Sequence, residues 1–498
     1  QGTFSAVLTP YGGFRGRVEF ALEGAPPGVE LDPATASVEI TGDAQVRHAL
    51  RVQVAEAVPL GTYPLTVRAT SGTLTREDSL RLTVSDRSVF VWDGGGDGRR
   101  FSDCRNWQDD TCPEPNGELV VVNRNTTSLN LEMDLSFQVY SLTLEGRAAL
   151  RGRLDLIASG RLEGDITLNG VLAIGQGGTL SSSGSLEWHA GALLGPGTLV
   201  NQGLLRVVNN AYGKYLCATL RNEGEVRAEA NFGLGCSDAP GHLVNAQEAT
   251  LALQAPQGTY AIGNHHGESR LLNQGSLVKT GAGTFEVRAP LENQGEVEVQ
   301  EGTLHASGGG RLLGGRYTVA QDAVMRLSGT WVGGLQAEVQ GSLQLWGNLQ
   351  APEGEEGVLH LTGNGLEWHA GALLGPGTLV NQGLLRVVNN AYGKYLCATL
   401  RNEGEVRAEA NFGLGCSDAP GHLVNAQEAT LALQAPQGTY AIGNHHGESR
   451  LLNQGSLVKT GAGTFEVRAP LENQGTIQVL EGRLCYREPG GGWVCLTP

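Results

Sequence analysis

An internal duplication constrains the fold more than any other feature of this chain. Residues 186–295 and 366–475 are identical at every position, so that Leu186 of the first copy corresponds to Leu366 of the second. The segment between the copies, 296–365, continues the same short apolar runs and glycine turns without copying them. A solenoid accepts such a duplication because each coil contacts mainly its neighbours, so added coils only lengthen a rod. We therefore expect the duplicated segment to be architectural.

An asparagine recurs within each copy at the end of a short alternating run, as in "LVNQG" and "LRNEG". Most steps between these asparagines are slightly longer than ~20 residues, and the step from Asn245 to Asn273 is the longest. A strand-and-turn repeat of this length predicts a parallel β-solenoid whose coils share a core of Leu and Val. We expect the asparagines at the corners, because Asn and the Gly that follows it tolerate left-handed backbone and stacked amides hydrogen-bond along the axis. They are Asn201, Asn222, Asn245, Asn273, Asn293, Asn381, Asn402, Asn425, Asn453 and Asn473.

The predicted fold class is all-β. Glycine supplies 74 of the 498 residues, and tight turns between short strands explain that frequency better than helices do. At ~4.8 Å per coil, about 17 coils of ~22 residues would form a rod of roughly 80 Å.

Three resemblances to bacterial secreted and surface proteins divide the chain. "GGFRGRVEFALEGAPPGVELDP" and "VPLGTYPLTVRATSGTLTREDSLRLTV" resemble the immunoglobulin-like modules of bacterial secreted and surface proteins, so residues 1–86 are expected to form a β-sandwich that lacks its first strand. A Trp- and Gly-rich connector, residues 87–118, is similar to segments that precede repetitive β regions of such proteins. Residues 119–480 resemble the right-handed parallel β-helices of bacterial adhesins and autotransporter passengers, and residues 481–498 are expected to cap the last coil.

The cysteines and the charge restrict the cellular context. The eight cysteines fall into four near-neighbour couples, which predict disulfides and an extracellular or cell-surface location. The couples are Cys104 with Cys112, Cys217 with Cys236, Cys397 with Cys416, and Cys485 with Cys495. A net charge of -16 without a basic cluster argues against nucleic acid as a partner, and no apolar run is long enough to span a membrane.

Three groups of residues are candidates for chemistry. Asp93, Asp97 and Asp103 could supply oxygen ligands to Ca²⁺, although turns covered by tryptophan rings and pinned by the Cys104–Cys112 couple are the favoured explanation. The histidine pairs 265–266 and 445–446 could aim at a metal ion only from a turn, and no third ligand is evident. Trp188 and Trp368, each flanked by Glu and His, could stack on a sugar ring or cover the flank of the solenoid.

These patterns favour a non-enzymatic extracellular structural protein without a cofactor other than calcium. We expect a subunit of a surface filament or layer, which self-associates by β-strand addition or edge contacts. The alternative is an adhesin or stalk that binds a carbohydrate or another cell-surface ligand. A polysaccharide-degrading β-helix enzyme is the weaker alternative, since acidic residues are scattered and no nucleophile motif such as GxSxG occurs.

Overall fold

The chain folds into two compact units, Gln1–Ser88 and Val89–Pro498. The computed structural model describes residues 2–42, 44–84 and 87–498, which are almost entirely strands and turns. Residues 85 and 86, where the sequence places the end of the first domain, lie outside the described residues. No helix in the described ranges is long and apolar enough to cross a membrane.

The first unit consists of two antiparallel sheets around one apolar core. Three strands form one sheet and four form the other, and buried Phe20, Leu31 and Leu50 from both sheets belong to a single cluster. The assignment of this unit to the immunoglobulin-like modules, and its missing first strand, stay predictions. Its strands are Gly2–Leu8, Gly16–Glu23, Val29–Asp32, Ser37–Ile40, Val46–Val54, Gly61–Ser71 and Leu74–Val84.

The second unit is a parallel β-solenoid of about 18 turns, which confirms the predicted all-β class and solenoid. Two short 3-10 helices, Cys104–Asn106 and Gln108–Asp110, are the helical elements of its described residues. Up to the end of the first copy its strands are Val89–Val91, Glu118–Asn123, Leu129–Met133, Val139–Gly146, Ala148–Glu163, Asp165–Ile174, Thr179–Ser182, Ser185–Asn201, Leu204–Val207, Lys214–Asn222, Glu225–Ala228, Phe232–Leu234, His242–Asn245, Thr250–Gln254, Thr259–Asn264, Arg270–Asn273, Ser276–Thr280, Thr284–Val287 and Leu291–Asn293.

The remaining strands continue the same winding to the C-terminus. Between the copies they are Glu296–Val299, Thr303–Ala306, Gly310–Leu312, Arg316–Val319, Val324–Leu327, Thr330–Gly333, Leu335–Val339, Ser342–Leu345, Asn348–Gln350 and Glu356–Gly363. In and after the second copy they are Leu366–Trp368, Gly371–Gln382, Leu384–Val387, Lys394–Asn402, Glu405–Ala408, Phe412–Leu414, His422–Asn425, Thr430–Gln434, Thr439–Asn444, Arg450–Asn453, Ser456–Thr460, Thr464–Asn473, Thr476–Val479, Arg483–Arg487 and Trp493–Leu496.

Each coil contributes one segment to each of three faces. We name them from the start of the first copy: face I contains residues 185–188, face II residues 191–194 and face III residues 198–201. Each segment pairs in parallel with the corresponding segment of the next coil. Alternate side chains point inward because successive residues of a strand face opposite sides. Leu186, Leu205 and Val226 are thus stacked in one register column of face I and are fully buried.

The asparagines form continuous ladders inside the solenoid. Asn201, Asn222, Asn245, Asn273 and Asn293 follow one another in register on face III and are fully buried. Each Nδ2 donates to the Oδ1 of the next asparagine at 2.8 Å. The predicted stacking of amides is therefore present. None of these asparagines has a positive φ, so the predicted left-handed corner is wrong.

A glycine lies two residues after every ladder asparagine except Asn245 and Asn425, and it has a different role from the one expected. Gly203 and Gly224 have no positive φ, but a Cβ on either would overlap the carbonyl oxygen of the equivalent glycine one coil earlier. The coils approach so closely at this corner that only glycine fits. The constraint is therefore contact between coils and not backbone handedness.

The second copy is shifted by one face relative to the first. From Leu186 the face I column runs through Leu205, Val226, Leu251, Leu277, Val297, Tyr317 and Ala337 to Leu361, which is eight coils later. Leu366 follows one strand further along the chain and pairs with Leu343 on face II. The copies are thus displaced by eight and one third turns, and the second asparagine ladder lies on face I.

The four predicted cysteine couples are disulfides in this structure. Cys217–Cys236 and Cys397–Cys416 each join a strand to the following coil. Cys485–Cys495 closes the C-terminal hairpin, whose second strand runs antiparallel along Arg483–Arg487. The strand Arg483–Arg487 lies at the end of face III, whereas Asn473 is exposed on face I and Ile477 and Val479 are half-buried on face II. The assignment of residues 481–498 as a cap stays a prediction.

Candidate functional site

Trp188 and Trp368 cannot contact a glycan, because both are core residues with 0% and 1% exposure. They are at inward positions of their strands and pack against Phe232 and Phe412, with ring centroids 6.1 and 6.0 Å apart. The prediction of a sugar contact at these tryptophans is wrong, since strand alternation turns them inward and turns their Glu and His neighbours outward.

Those outward neighbours stabilise adjacent coils. Glu187 pairs with Arg206 of the next coil, and its second carboxylate oxygen lies 3.1 Å from Nε2 of His189. Arg206 also pairs with Glu229 one coil further on, at 2.8 Å. These residues therefore connect three successive coils on face I.

The three candidate calcium ligands have internal partners. Asp97 accepts hydrogen bonds from the backbone of Arg99 and Arg100 and from the Arg100 and Asn106 side chains, and these bonds hold its pKa well below the ordinary value. The Arg105 side chain lowers the pKa of Asp103. Asp93 accepts from the backbone of Gly95. In the described ranges no group of three His, Cys, Asp or Glu side chains is placed to hold a metal ion.

The most distinctive surface feature is an aromatic groove on face II, near a loop that the sequence analysis did not single out. Residues 208–213 leave the coil before the strand Lys214–Asn222, and Asn209 turns the loop with φ +67°. The buried Lys214 donates from Nζ to the carbonyls of Asn209 and Tyr212 at 2.6 and 3.1 Å. This ammonium fixes the loop from beneath and leaves Tyr212 62% exposed.

Tyr215 and His265 form the centre of the groove. Their rings meet edge to face at 5.4 Å, and Tyr215 is 42% exposed. The imidazole lies over Gly233, where any Cβ would overlap it, and contacts Gly263 on the next coil. The absence of side chains at Gly233 and Gly263 thus leaves the space in which His265 packs against Tyr215.

Polar groups complete the groove, which has a volume of about 390 Å³. Asn231 Oδ1 accepts from the backbone of Ala261, and Asn210 Oδ1 accepts from the backbone of Asn231. Both amide nitrogens lack a hydrogen-bond partner in the described part of the chain. Arg288 lies at the rim and pairs with Glu286 at 2.8 Å.

The second copy reproduces the arrangement on face III. Tyr392 and Tyr395 are 54% and 40% exposed, and Tyr395 meets His445 at 5.3 Å. Lys394 donates to the carbonyls of Asn389 and Tyr392, and its burial lowers its pKa to about 8.

The two grooves differ at one edge, because the coils before them are not duplicated. Trp346 meets Tyr392 at 5.5 Å and stacks on His369 at 4.7 Å. Trp346 follows Leu345, which pairs with Trp368. At the first groove, Leu168 pairs with Trp188, and the residue that follows it is Asn169. Trp346 therefore extends the aromatic surface of the second groove only.

The histidine pairs do not form a metal site. His265 is part of the groove, whereas Nδ1 of His266 accepts from the backbone of Glu268 at 3.2 Å. The sequence signal for the groove was "NNAYGKY", in which two tyrosines follow an Asn-Asn turn. This motif alone does not predict a groove, because the other residues of the groove come from later coils.

The second unit is a parallel β-solenoid, and the four disulfides are consistent with an extracellular or surface protein, as is the family similarity that follows. Residues 163–323 match the family described as the BigA fourth domain, and the match includes the whole first groove. This similarity covers about one third of the chain. Neither the curated proteins nor the solved structures contain a significant match.

Proposed function

We propose that this protein is a non-enzymatic extracellular rod that binds carbohydrate through the two aromatic grooves. The observation that carries the proposal is the repeated pair of exposed tyrosines, fixed in each copy by a buried lysine. Solvent-exposed aromatic rings beside unpaired amide donors suit a sugar, whose faces are apolar and whose edges carry hydroxyl groups.

Two further observations favour binding over cleavage. The described residues that line the first groove include no carboxylate, whereas glycoside hydrolysis needs a pair of them. The similarity to a BigA domain supports a surface adhesin-like protein.

The test uses albumin conjugates of mannose, galactose, N-acetylglucosamine and sialic acid, immobilised on a biosensor. The wild-type chain is compared with the double variant Tyr212→Ala/Tyr392→Ala, which removes the outer ring of each groove. Tyr11→Ala is the matched control, because Tyr11 is 94% exposed in the first unit.

We expect saturable binding to at least one conjugate, reduced about 5- to 30-fold in the double variant and unchanged in Tyr11→Ala. This range follows from a contribution of about 1–2 kcal/mol for the one stacked ring that each groove loses. No binding by the wild type, or equal binding by the double variant, would refute the proposal.

A filament subunit is the second candidate, favoured by an apolar groove of about 330 Å³ in the first unit. Leu8, Phe14, Ile40 and Leu74 line it, and Leu74 is half exposed. A strand from a second copy of this chain could bury these side chains by β-strand addition. Electron microscopy of the purified chain tests this candidate, and single particles at every concentration would eliminate it.

A further inference from the structure

We infer that the two grooves face different directions and bind two separate ligands, so that one rod cross-links carbohydrate-bearing objects instead of lying flat on one of them. The inference rests on the proposed function for the grooves themselves. Its own basis is the strand pairing between the two copies.

The pairing places the grooves on adjacent faces. From Tyr215, face II continues to the strands Thr303–Ala306, Val324–Leu327, Ser342–Leu345 and Leu366–Trp368. Tyr395 is not on that face: its strand pairs back through Leu373 to Leu349 and Trp331 on face III. Since three faces divide the circumference, the second groove is turned by one third of a revolution from the first.

The axial separation follows from the same count. The offset of eight and one third turns corresponds to ~40 Å at ~4.8 Å per coil. The asparagine amides remain 2.7–2.8 Å apart along both ladders, and beyond the ladders the strands of successive coils between the two copies still pair in register. This close stacking restricts rotation between neighbouring coils and preserves the difference in direction.

A flat surface can therefore meet only one groove at a time. Two linked sites increase avidity by 10²–10⁴ only when geometry permits both to be occupied together. On a planar layer of sugars this rod should behave as monovalent, whereas two particles in suspension can occupy both grooves. Trp346 adds aromatic surface to the second groove alone, so we expect that groove to bind more tightly.

The test compares the wild type with Tyr212→Ala, Tyr392→Ala and the double variant, each checked for folding by circular dichroism and for mass by analytical ultracentrifugation. The probe is the albumin conjugate that binds in the biosensor experiment, presented either as a dense layer on the flat sensor or on latex beads. Trp346→Asn is added to make the edges of the two grooves alike.

We expect the monomeric wild type to agglutinate the beads and both single variants to bind without agglutinating them. On the dense flat layer the dissociation rate of the wild type should be within about 2-fold of that of the tighter-binding single variant. Trp346→Asn should bring the affinities of the two grooves closer together.

Other outcomes separate the possible failures. Dissociation of the wild type from the flat layer at least 10-fold slower than both single variants would show that the grooves face one plane, which overturns the inference. Agglutination by a single variant would locate the cross-linking elsewhere and also overturn it. Absence of binding in every format would refute the proposed carbohydrate function itself.

Discussion

Removing one amide from the middle of an asparagine ladder should destabilise the surrounding coils far more than removing one from its exposed end. Asn222 is fully buried, and its Nδ2 donates to Asn245 Oδ1 at 2.8 Å and to the carbonyl of Thr250 at 2.9 Å. Its Oδ1 accepts from Asn201 Nδ2 at 2.8 Å. Asn222→Ala removes these three short bonds and leaves buried partners unsatisfied. The side chain also makes two longer bonds with Gly224, at 3.2 and 3.3 Å, which we leave out of the count because they are weaker.

The magnitude follows from this count of bonds. A net contribution of about 1 kcal/mol per bond gives about 3 kcal/mol, and the unsatisfied Asn245 oxygen adds to the cost. Asn473 is the matched control, because it ends the second ladder, accepts one amide bond from Asn453 and is exposed to solvent. For Asn473→Ala we expect less than about 1 kcal/mol.

Hydrogen exchange followed by mass spectrometry is the appropriate assay, because repeat proteins open locally and a global midpoint would average over the coils. In Asn222→Ala, peptides that span residue 222 differ in mass from the otherwise identical peptides of the second copy, and they should lose about 3 kcal/mol of opening free energy relative to that unchanged copy. Asn402→Ala, at the identical position of the second copy, should reproduce the loss in its own coils. Equal effects of Asn222→Ala and Asn473→Ala would refute the argument that buried amide pairing holds the coils together.

Three further predictions concern the lysines and the disulfides. The native protein should resist acetylation by an amine-reactive reagent at all four of its lysines, because they are buried, and the unfolded protein should react fully. Mass spectrometry measures the labelling, and labelled lysines in the native state would contradict their burial. These residues are Lys214, Lys279, Lys394 and Lys459. Burial lowers the pKa of Lys279 to about 8 from 10.5. Between these pH values the unfolded chain binds more protons than the folded chain, so the stability that Lys279 contributes rises with pH. The melting temperature of the wild type minus that of Lys279→Met should therefore increase from pH 7 to pH 10, and a decrease would refute this sign. Replacing Cys217 and Cys236 by serine opens a 19-residue loop and should cost about 3 kcal/mol in the exchange of that coil, whereas Cys485 and Cys495 replaced together should affect only the C-terminal hairpin.

Periodicity made the solenoid predictable, but it could not show which way individual side chains point. The asparagines were correctly predicted to stack, because a recurring amide before a glycine turn has few other uses in a β-solenoid. The reason given for the glycines was wrong, since the closeness of neighbouring coils at Gly203 depends on the packing of the whole rod. The prediction that Trp188 faces outward was wrong for a similar reason. A short strand between turns contains too few alternating residues to show which of its side chains face the core.

The groove was missed because it is assembled from three successive coils. Tyr215, Gly233 and His265 are far apart in the sequence, and each belongs to a different coil. Only the stacking of coils brings the imidazole over the glycine and against the tyrosine. The shift of the second copy by one face could not be predicted from the sequence either. It depends on the number of strands between the two copies, and the number of residues between them does not give that number.

The first ladder can be extended by one position, and this offers a stabilising test of the whole scheme. Ser182 is directly before Asn201 in the face III column and is buried. It is followed by Ser-Gly, as four of the five asparagines of this ladder are followed by Gln-Gly or Glu-Gly. Asn201 Oδ1 is buried without a hydrogen-bond partner in the described chain, because no amide precedes it. Ser182→Asn places an Nδ2 where it can donate to that oxygen and to the carbonyls of Gly184 and Leu204, by analogy with the bonds of Asn201 to Gly203 and Glu225. We expect a gain of about 1–2 kcal/mol in the exchange of these coils relative to Ser182→Ala, because a buried acceptor becomes satisfied. If Ser182→Asn is no more stable than Ser182→Ala, the ladder does not act through amide pairing, and close coil packing alone must define this corner.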